Sequence, residues 1–462
     1  MRAWSALLRT RRVRGGLLGM LLLTASGCAS VDPSGDYGRT RDYVHQATGQ
    51  STLFMPGEEE QAREAVAELL ADGLTSAEAV QVALLNNQQL QARLLEIGLE
   101  HANVVQAGLL SNPSLQVMLR LPIDGGSTNS EGGLLQNLAD LWRVPARKRV
   151  AKSELERTIL AVAHQAALLA AEAKADYVAT VTASQSLLVA EENLGTARQF
   201  SELSRERLEA GGSTQVEVNA AHSRFLEQQA ATMTARFKAT QAKLQLSATL
   251  GLQMSPLELE LTDAQLVSRG LDVQVAALLA SAATHRLDLQ SAAMDVEAAE
   301  RRIPLERRQV WRSVRGGVTF ETEGSELALG PGIGLTLPLF DQNQAQIAKA
   351  ELLYEQSLRR MEGVKTQVSQ QVRVAYAQYG LAQETVHLYE QELLPLREQS
   401  LELARESYAA GKTGFLYVLE AQNELLAARS EYVEHLGQLA RTIPSLEAAC
   451  GQPITELTRS KD

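Results

Sequence analysis

Residues 201–251 read SELSRERLEAGGSTQVEVNAAHSRFLEQQAATMTARFKATQAKLQLSATLG, and residues 401–451 read LELARESYAAGKTGFLYVLEAQNELLAARSEYVEHLGQLARTIPSLEAACG. Laid over one another at an offset of 200 with no gap, they agree at Glu202/Glu402, Leu203/Leu403, Arg205/Arg405, Glu206/Glu406, Ala210/Ala410, Gly211/Gly411, Val218/Val418, Ala221/Ala421, Leu226/Leu426, Leu246/Leu446 and Gly251/Gly451. Each copy is a run of helix formers, a Gly turn, a second such run and a closing Gly. A generic coiled coil shares the period but does not keep both glycines in register. The pattern predicts an internal duplication in which each half contributes a long helical hairpin.

Proline spacing extends those helices upstream. No Pro lies between Pro145 and Pro256 or between Pro338 and Pro395. A helix from Ala146 to Ala210 would be roughly 100 Å long at 1.5 Å per residue, a length typical of coiled coils and helical tubes. An earlier helix start is legible at Thr75-Ser76-Ala77-Glu78, which fits a capping box, and its apolar spacing runs to about Leu110 before Asn112-Pro113 stops it.

Upstream of each hairpin the period changes to two. In Ser114–Pro122, Leu115, Val117, Leu119 and Leu121 alternate with Ser114, Gln116, Met118 and Arg120. A Gly- and Ser-rich loop is expected over 124–133, then a returning strand over 134–142. In the second half, Val314, Gly316, Val318 and Phe320 oppose Arg315, Gly317, Thr319 and Glu321. A loop over 323–331 and a strand over 332–340 should follow. Strands of about nine residues are long enough to cross a bilayer when tilted. Four strands alone would leave backbone groups unpaired in lipid, so the barrel must be completed by other chains, with eight strands from a dimer or twelve from a trimer.

The N-terminus indicates export. Arg2, Arg9, Arg11, Arg12 and Arg14 precede the apolar run Leu17–Leu23, the form of a secretory signal peptide. Ala25-Ser26-Gly27-Cys28 resembles a bacterial lipobox, although Ala25 stands where Leu is usual; a covalent lipid on Cys28 is expected, and Ala29 favours sorting to the outer membrane. Residues 29–56, rich in Pro, Gly and Ser, read as an extended tether. Cys450 is the only other cysteine, which leaves no disulfide framework. The chain carries 44 basic and 55 acidic residues, net −11; cleavage after residue 27 removes five Arg and no acid, moving the charge to about −16. That balance argues against binding nucleic acid or adhering to anionic lipid. No segment after the leader reaches 18 consecutive apolar residues, so a membrane-spanning part must be β.

Several motifs carry a family resemblance. Gly330-Pro331-Gly332-Ile333-Gly334-Leu335-Thr336-Leu337-Pro338-Leu339-Phe340-Asp341, followed by Asn343, Ala345 and Ala350, resembles the second strand-to-helix motif of TolC-like outer-membrane efflux proteins. Asn86-Asn87 with Leu90, Gln106-Ala107, Leu110 and Asn112-Pro113 resembles the first-repeat motif, and Tyr417-Val418-Leu419-Glu420-Ala421-Gln422 the last-helix motif. The similarity covers about residues 70–452. Gln88 and Leu287 replace prolines common in the family, which bears on the local turns.

The resemblance implies an α+β membrane protein: a homotrimer with a twelve-stranded transmembrane β-barrel and a long periplasmic α-barrel in the outer membrane of a Gram-negative bacterium. It implies a periplasmic adaptor and an inner-membrane transporter as partners and outer-membrane lipid as surroundings. The expected layout is a signal peptide (1–27), a lipid-anchored tether (28–56), a first repeat (57–256) with its tip turn near 210–214, a second repeat (257–451) with its tip turn near 410–414, and a tail (452–462).

The same resemblance makes Gly211, Gly212, Gly411 and Lys412 the adaptor-docking turns, and Glu217 and Glu420 carboxylates of a pore constriction, although Tyr417 stands where the family commonly has Asp. The plainer readings are a tight helical turn and a solvated helix face. No nucleotide motif, metal-spaced histidine pair or nucleophile constellation stands out, so neither enzyme activity nor a cofactor is expected beyond the lipid. The function implied is the passive outer-membrane channel of a tripartite efflux pump. The alternatives are the duct of a type I protein-secretion system and a periplasmic coiled-coil lipoprotein without a pore.

Overall fold

The computed structural model describes residues 30–125, 127–253, 259–262, 266, 273–323 and 326–454. The leader, Cys28 and residues 455–462 of the tail lie outside the described residues. Four helices open the chain: α1 (Ser34–Thr48), α2 (Glu59–Leu69), α3 (Ser76–Asn86) and α4 (Gln88–Gly108). Strands β1 (Ser114–Arg120) and β2 (Asn129–Asn137) lead into α5 (Asp140–Glu209) and α6 (Gln215–Thr249). The second half repeats the plan with α7 (Val275–His285), α8 (Leu287–Arg308), β3 (Val314–Glu323), β4 (Glu326–Leu335), α9 (Gln344–Leu388), α10 (Leu394–Ala409) and α11 (Phe415–Cys450).

Helix α5 is 70 residues, roughly 105 Å long. It runs antiparallel to both return helices. Thr180 donates to the Ala242 carbonyl at 3.2 Å and Thr232 to that of Ala190 at 3.1 Å, which align α5 with α6. Lys174–Glu447 at 2.6 Å and Asn193–Ser430 at 3.2 Å align it with α11. In the second half one π-turn, Tyr389–Leu393, joins α9 to α10 just before Pro395. The wider turn accommodates a residue with no N–H to continue the α-helical ladder.

Each repeat is closed by a glycine seated on a helix-to-helix turn. The α3–α4 break at Asn87 has ψ 113° and the α7–α8 break at Arg286 has ψ 114°, so the turn keeps its shape without the family's prolines. A Cβ at Gly251 would lie 2.7 Å from the Asn86 carbonyl oxygen, and one at Gly451 2.9 Å from that of His285. Different side chains cap the return helices. Asn86 and Asn87 donate to the carbonyls of Thr249, Leu250 and Gly251 at 2.9–3.1 Å, whereas Arg286 donates to Ala448 at 3.0 Å. Arg286 also pairs with Asp288 at 2.6 Å. Burial opposes ionisation of Asp288, but the hydrogen bonds and charge of Arg286 outweigh it and hold the carboxyl below its usual range. Cys450 is fully buried beside this joint, which pushes its thiol up to about 12. The main core of the first repeat, with Leu84, Leu94, Ile97, Ile159, Leu246 and Leu250, lies around the equivalent joint.

The four strands form one antiparallel sheet in the order β1-β2-β3-β4, leaving β1 and β4 as edges. Three differences from the sequence expectations stand out. Strand β2 begins at Asn129 and ends at Asn137, so Gly132 and Gly133 belong to the strand and Trp142 to the first turn of α5. Strand β4 begins at Glu326 and ends at Leu335, ahead of the expected 332–340. Pro331 lies within β4, opposite Val318. Residues 34–48, read as part of an extended tether, form α1 instead, with Tyr37, Thr40, Val44 and Ala47 buried at helical spacing. Arg39 and Tyr43 bond to Glu156 of α5, so this helix is packed onto the body.

Candidate channel tip and membrane sheet

The sheet register sorts side chains by chemistry. Leu115 pairs with Leu134, Leu134 with Val318 and Val318 with Pro331, so these share one face. By alternation that face also carries Val117, Leu119, Phe320, Leu327, Leu329 and Ile333. Leu115, Leu119, Leu329 and Ile333 are 71%, 65%, 69% and 83% exposed, an apolar surface with no cover in the protomer. The opposite face carries Gln116, Arg120, Glu131, Arg315, Thr319 and Glu321, with Arg120 and Glu131 paired at 3.0 Å.

At the far ends of the long helices the two Gly turns close in the same way. Gly211 has φ 75° and Gly411 φ 68°, the left-handed region that glycine enters without a Cβ penalty. Gly212 N–H donates to the Arg207 carbonyl at 2.7 Å, and Lys412 N–H to that of Ser407 at 2.9 Å. The two turns lead into their return helices differently. Thr214 and Glu217 form a capping box: Glu217 Oε2 accepts from the Thr214 N–H and the Ser213 hydroxyl, both at 2.8 Å. These bonds hold the Glu217 carboxyl below the usual range. At the matching positions stand Thr413, Gly414 and Tyr417, and α11 begins with no side-chain cap. Thr413 Oγ1 is buried without a partner, having lost the carboxylate its counterpart Ser213 bonds.

Glu217 is therefore tied into its turn, whereas Glu420 is exposed on α11 and has no ion pair among the described residues. The fold brings both to the same end of the molecule. A feature that spacing alone does not show joins the two turns. The Arg207 guanidinium lies 4.8 Å from the Tyr408 ring centroid and 5.7 Å from that of Phe415, and donates to the Gly212 carbonyl at 2.8 Å. Phe200 and Phe415 rings are 6.0 Å apart. The signal available was scarcity: the chain has only seven Phe, and Phe200 and Phe415 are two of them.

Among the described residues no helix is long and apolar enough to cross a membrane, and no group of three or more His, Cys, Asp or Glu is arranged to hold a metal ion. Trp142 is half-buried in α5, and Trp311, between α8 and β3, is 43% exposed.

Known proteins share this arrangement. The chain is 26% identical over 136 residues to the cobalt-zinc-cadmium resistance protein CzcC of Cupriavidus metallidurans, a match spanning 29% of this chain and 32% of that relative, about a third of its length. Its fold resembles that of a membrane protein from Pseudomonas aeruginosa, with a TM-score of 0.70 and 20% identity over 81% of this chain and 93% of the other. It also resembles the outer membrane protein VceC of Vibrio cholerae, with a TM-score of 0.64 and 18% identity over 85% and 97% of the two chains. The profile described as outer membrane efflux protein matches twice, over residues 79–252 and 278–452. Each match ends one residue beyond a closing glycine, so the profile follows the duplication seen in the fold. The chain belongs to the outer membrane efflux protein family, a family of channels rather than enzymes.

Proposed function

We propose that three copies of this chain close a twelve-stranded β-barrel and a continuous α-barrel, forming the passive exit duct of a tripartite efflux pump. The observation that carries this reading is the sheet: one bare apolar face, one polar face and two unpaired edges, joined to helices roughly 105 Å long. An unpaired edge in hydrocarbon costs several kcal/mol per backbone group, so the edges must meet strands of other copies. Twelve strands put the apolar face toward lipid and the polar face toward a lumen. The six Gly turns of a trimer then form a ring for the helical hairpins of a periplasmic adaptor, which in turn contacts an inner-membrane transporter. Cys28 carries the lipid that tethers each copy to the outer membrane.

The name of the curated relative, a cobalt-zinc-cadmium resistance protein, makes divalent metal cations the first cargo to test. A wide duct need not hold its cargo tightly. Crosslinking of the purified protein should stop at a trimer, and the trimer should give conductance steps in a planar bilayer; a dimer, or silence, would contradict the reading.

A further inference from the structure

The acidic balance of the whole chain conceals a local reversal. Between Leu141 and Ser153 there are five cations, Arg143, Arg147, Lys148, Arg149 and Lys152, and no acid. Arg147 is used internally, donating to the carbonyls of Ala107 and Leu109 at 2.9 and 2.7 Å. Arg143 donates to the Arg312 carbonyl at 3.2 Å. Lys148, Arg149 and Lys152 are exposed, and none of them pairs with a carboxylate among the described residues. Leu141 is 69% exposed, and Pro145 is exposed as well. Leu141, Pro145, Lys148 and Lys152 follow one another at spacings of three and four, with Arg149 beside them, so they share the solvent side of α5. The opposite side, with Ala146, Val150, Ala151 and Ser153, is buried.

This stripe begins four residues beyond the end of β2. Moving away from the sheet it is first apolar and then cationic. On the approach to β3, a different connection, exposed Trp311 lies nearest the sheet with Arg308 and Arg307 behind it at the end of α8, Arg307 being paired with Glu351 at 3.0 Å.

We propose that the Lys148–Arg149–Lys152 stripe binds the phosphate groups of anionic phospholipid in the inner leaflet, at the rim of the barrel. The proposal rests on the reading that the sheet spans the membrane. At 1.5 Å per residue Lys148 lies about 10 Å and Lys152 about 16 Å beyond Leu141. The headgroup layer is roughly 5–8 Å deep on each side of the hydrocarbon, and long cationic side chains reach back toward it. Lys148 and Arg149 therefore reach the phosphates and Lys152 meets their outer boundary. Two observations select this occupant over others. The stripe starts four residues from a sheet that carries a bare apolar face, and its three exposed charges have no carboxylate partner among the described residues. Each cation beside an anionic surface strengthens retention about fivefold.

The test uses the full-length trimer and its K148Q/R149Q/K152Q variant, reconstituted in phosphatidylethanolamine containing a minor fraction of phosphatidylglycerol. After detergent extraction the ratio of the two lipids left on each protein is measured by mass spectrometry. The parent should be enriched in phosphatidylglycerol, and the variant should lose at least about tenfold of that enrichment. High salt should remove it from the parent. Both proteins should still form channels in phosphatidylethanolamine alone. Equal enrichment in both overturns the proposal while leaving the barrel reading intact. A changed ion preference with unchanged lipid retention would put the stripe inside the pore and also overturns it. Failure of either protein to enter any bilayer overturns the barrel reading and this proposal with it.

Discussion

Gly211→Val combined with Gly411→Val should disable the pump while leaving the trimer folded. The cost is set by the backbone alone. Both glycines have positive φ, 75° and 68°, and a Cβ built on either meets nothing within 4 Å. No packing clash is therefore added to the conformational penalty. A non-glycine residue in the left-handed region costs about 1–2 kcal/mol, and β-branching puts valine at the upper end. With two turns per chain, a trimer would carry six strained sites and a total of about 6–12 kcal/mol. The turns are helix ends, so the chain can escape the strain by reshaping the tips without disturbing α5 or α11. Changing the closing glycines should behave differently, because a Cβ at Gly251 would lie 2.7 Å from a backbone oxygen inside a packed joint. The assay pairs thermal stability of the trimer with site-specific crosslinking to the adaptor and substrate susceptibility of the native host. Crosslinking and resistance should fall together while the trimer persists. A stably expressed double variant with normal crosslinking and full resistance would refute the assignment of these turns as the docking tip.

The tip and the N-terminus give three further expected outcomes. Glu420→Gln should reduce cation preference in reversal-potential measurements without lowering stability, whereas Glu217→Gln keeps an acceptor in the capping box but loses the charge at the helix start, at a cost of about 0.3–1 kcal/mol; anion preference in the parent channel would reject the constriction reading. Arg207→Ala should cost about 1–2 kcal/mol by removing the cation–π contacts and the bond to Gly212, seen as faster hydrogen exchange in both turns, and unchanged exchange at Gly411 would mean the turns are not coupled through it. Cys28→Ser should abolish palmitate labelling yet leave the barrel in the membrane; labelling that persists would place the lipid elsewhere.

The duplication was legible because its glycines keep their register, and the longest helix because no proline lies between Pro145, in its first turns, and Pro256. The strand ends were not. Gly132-Gly133 and Gly330-Pro331-Gly332 have the composition of turns but lie inside strands; Gly132, Gly133 and Gly332 sit where neighbouring atoms approach closely, with the Phe320 ring 2.7 Å from a Cβ built on Gly132. Helix α1 was hidden because Pro33, Gly35 and Gly38 dilute an apolar spacing that Tyr37, Thr40, Val44 and Ala47 nevertheless keep. The Arg207 contact could not be read from spacing, since its aromatic partners come from the other repeat, about two hundred positions away. Glu217 stands three residues after Thr214, the same spacing as Thr75 and Glu78, so its capping role was open to a sequence reading that Glu420, three residues after Tyr417, does not offer. The structure adds the hydrogen bond from Ser213, which ties that carboxylate further into its turn.

Single-channel recording tests the central claim most directly. The purified trimer, added to one side of a planar bilayer, should insert and give uniform, long-lived conductance steps. Proline placed in the middle of β1, for example Val117→Pro, should abolish them, because β1 is an edge in the protomer whose backbone donors must pair with a neighbouring copy. Steps of the same size from that variant, or a folded parent trimer that never conducts, would contradict a barrel built from the strands of three chains.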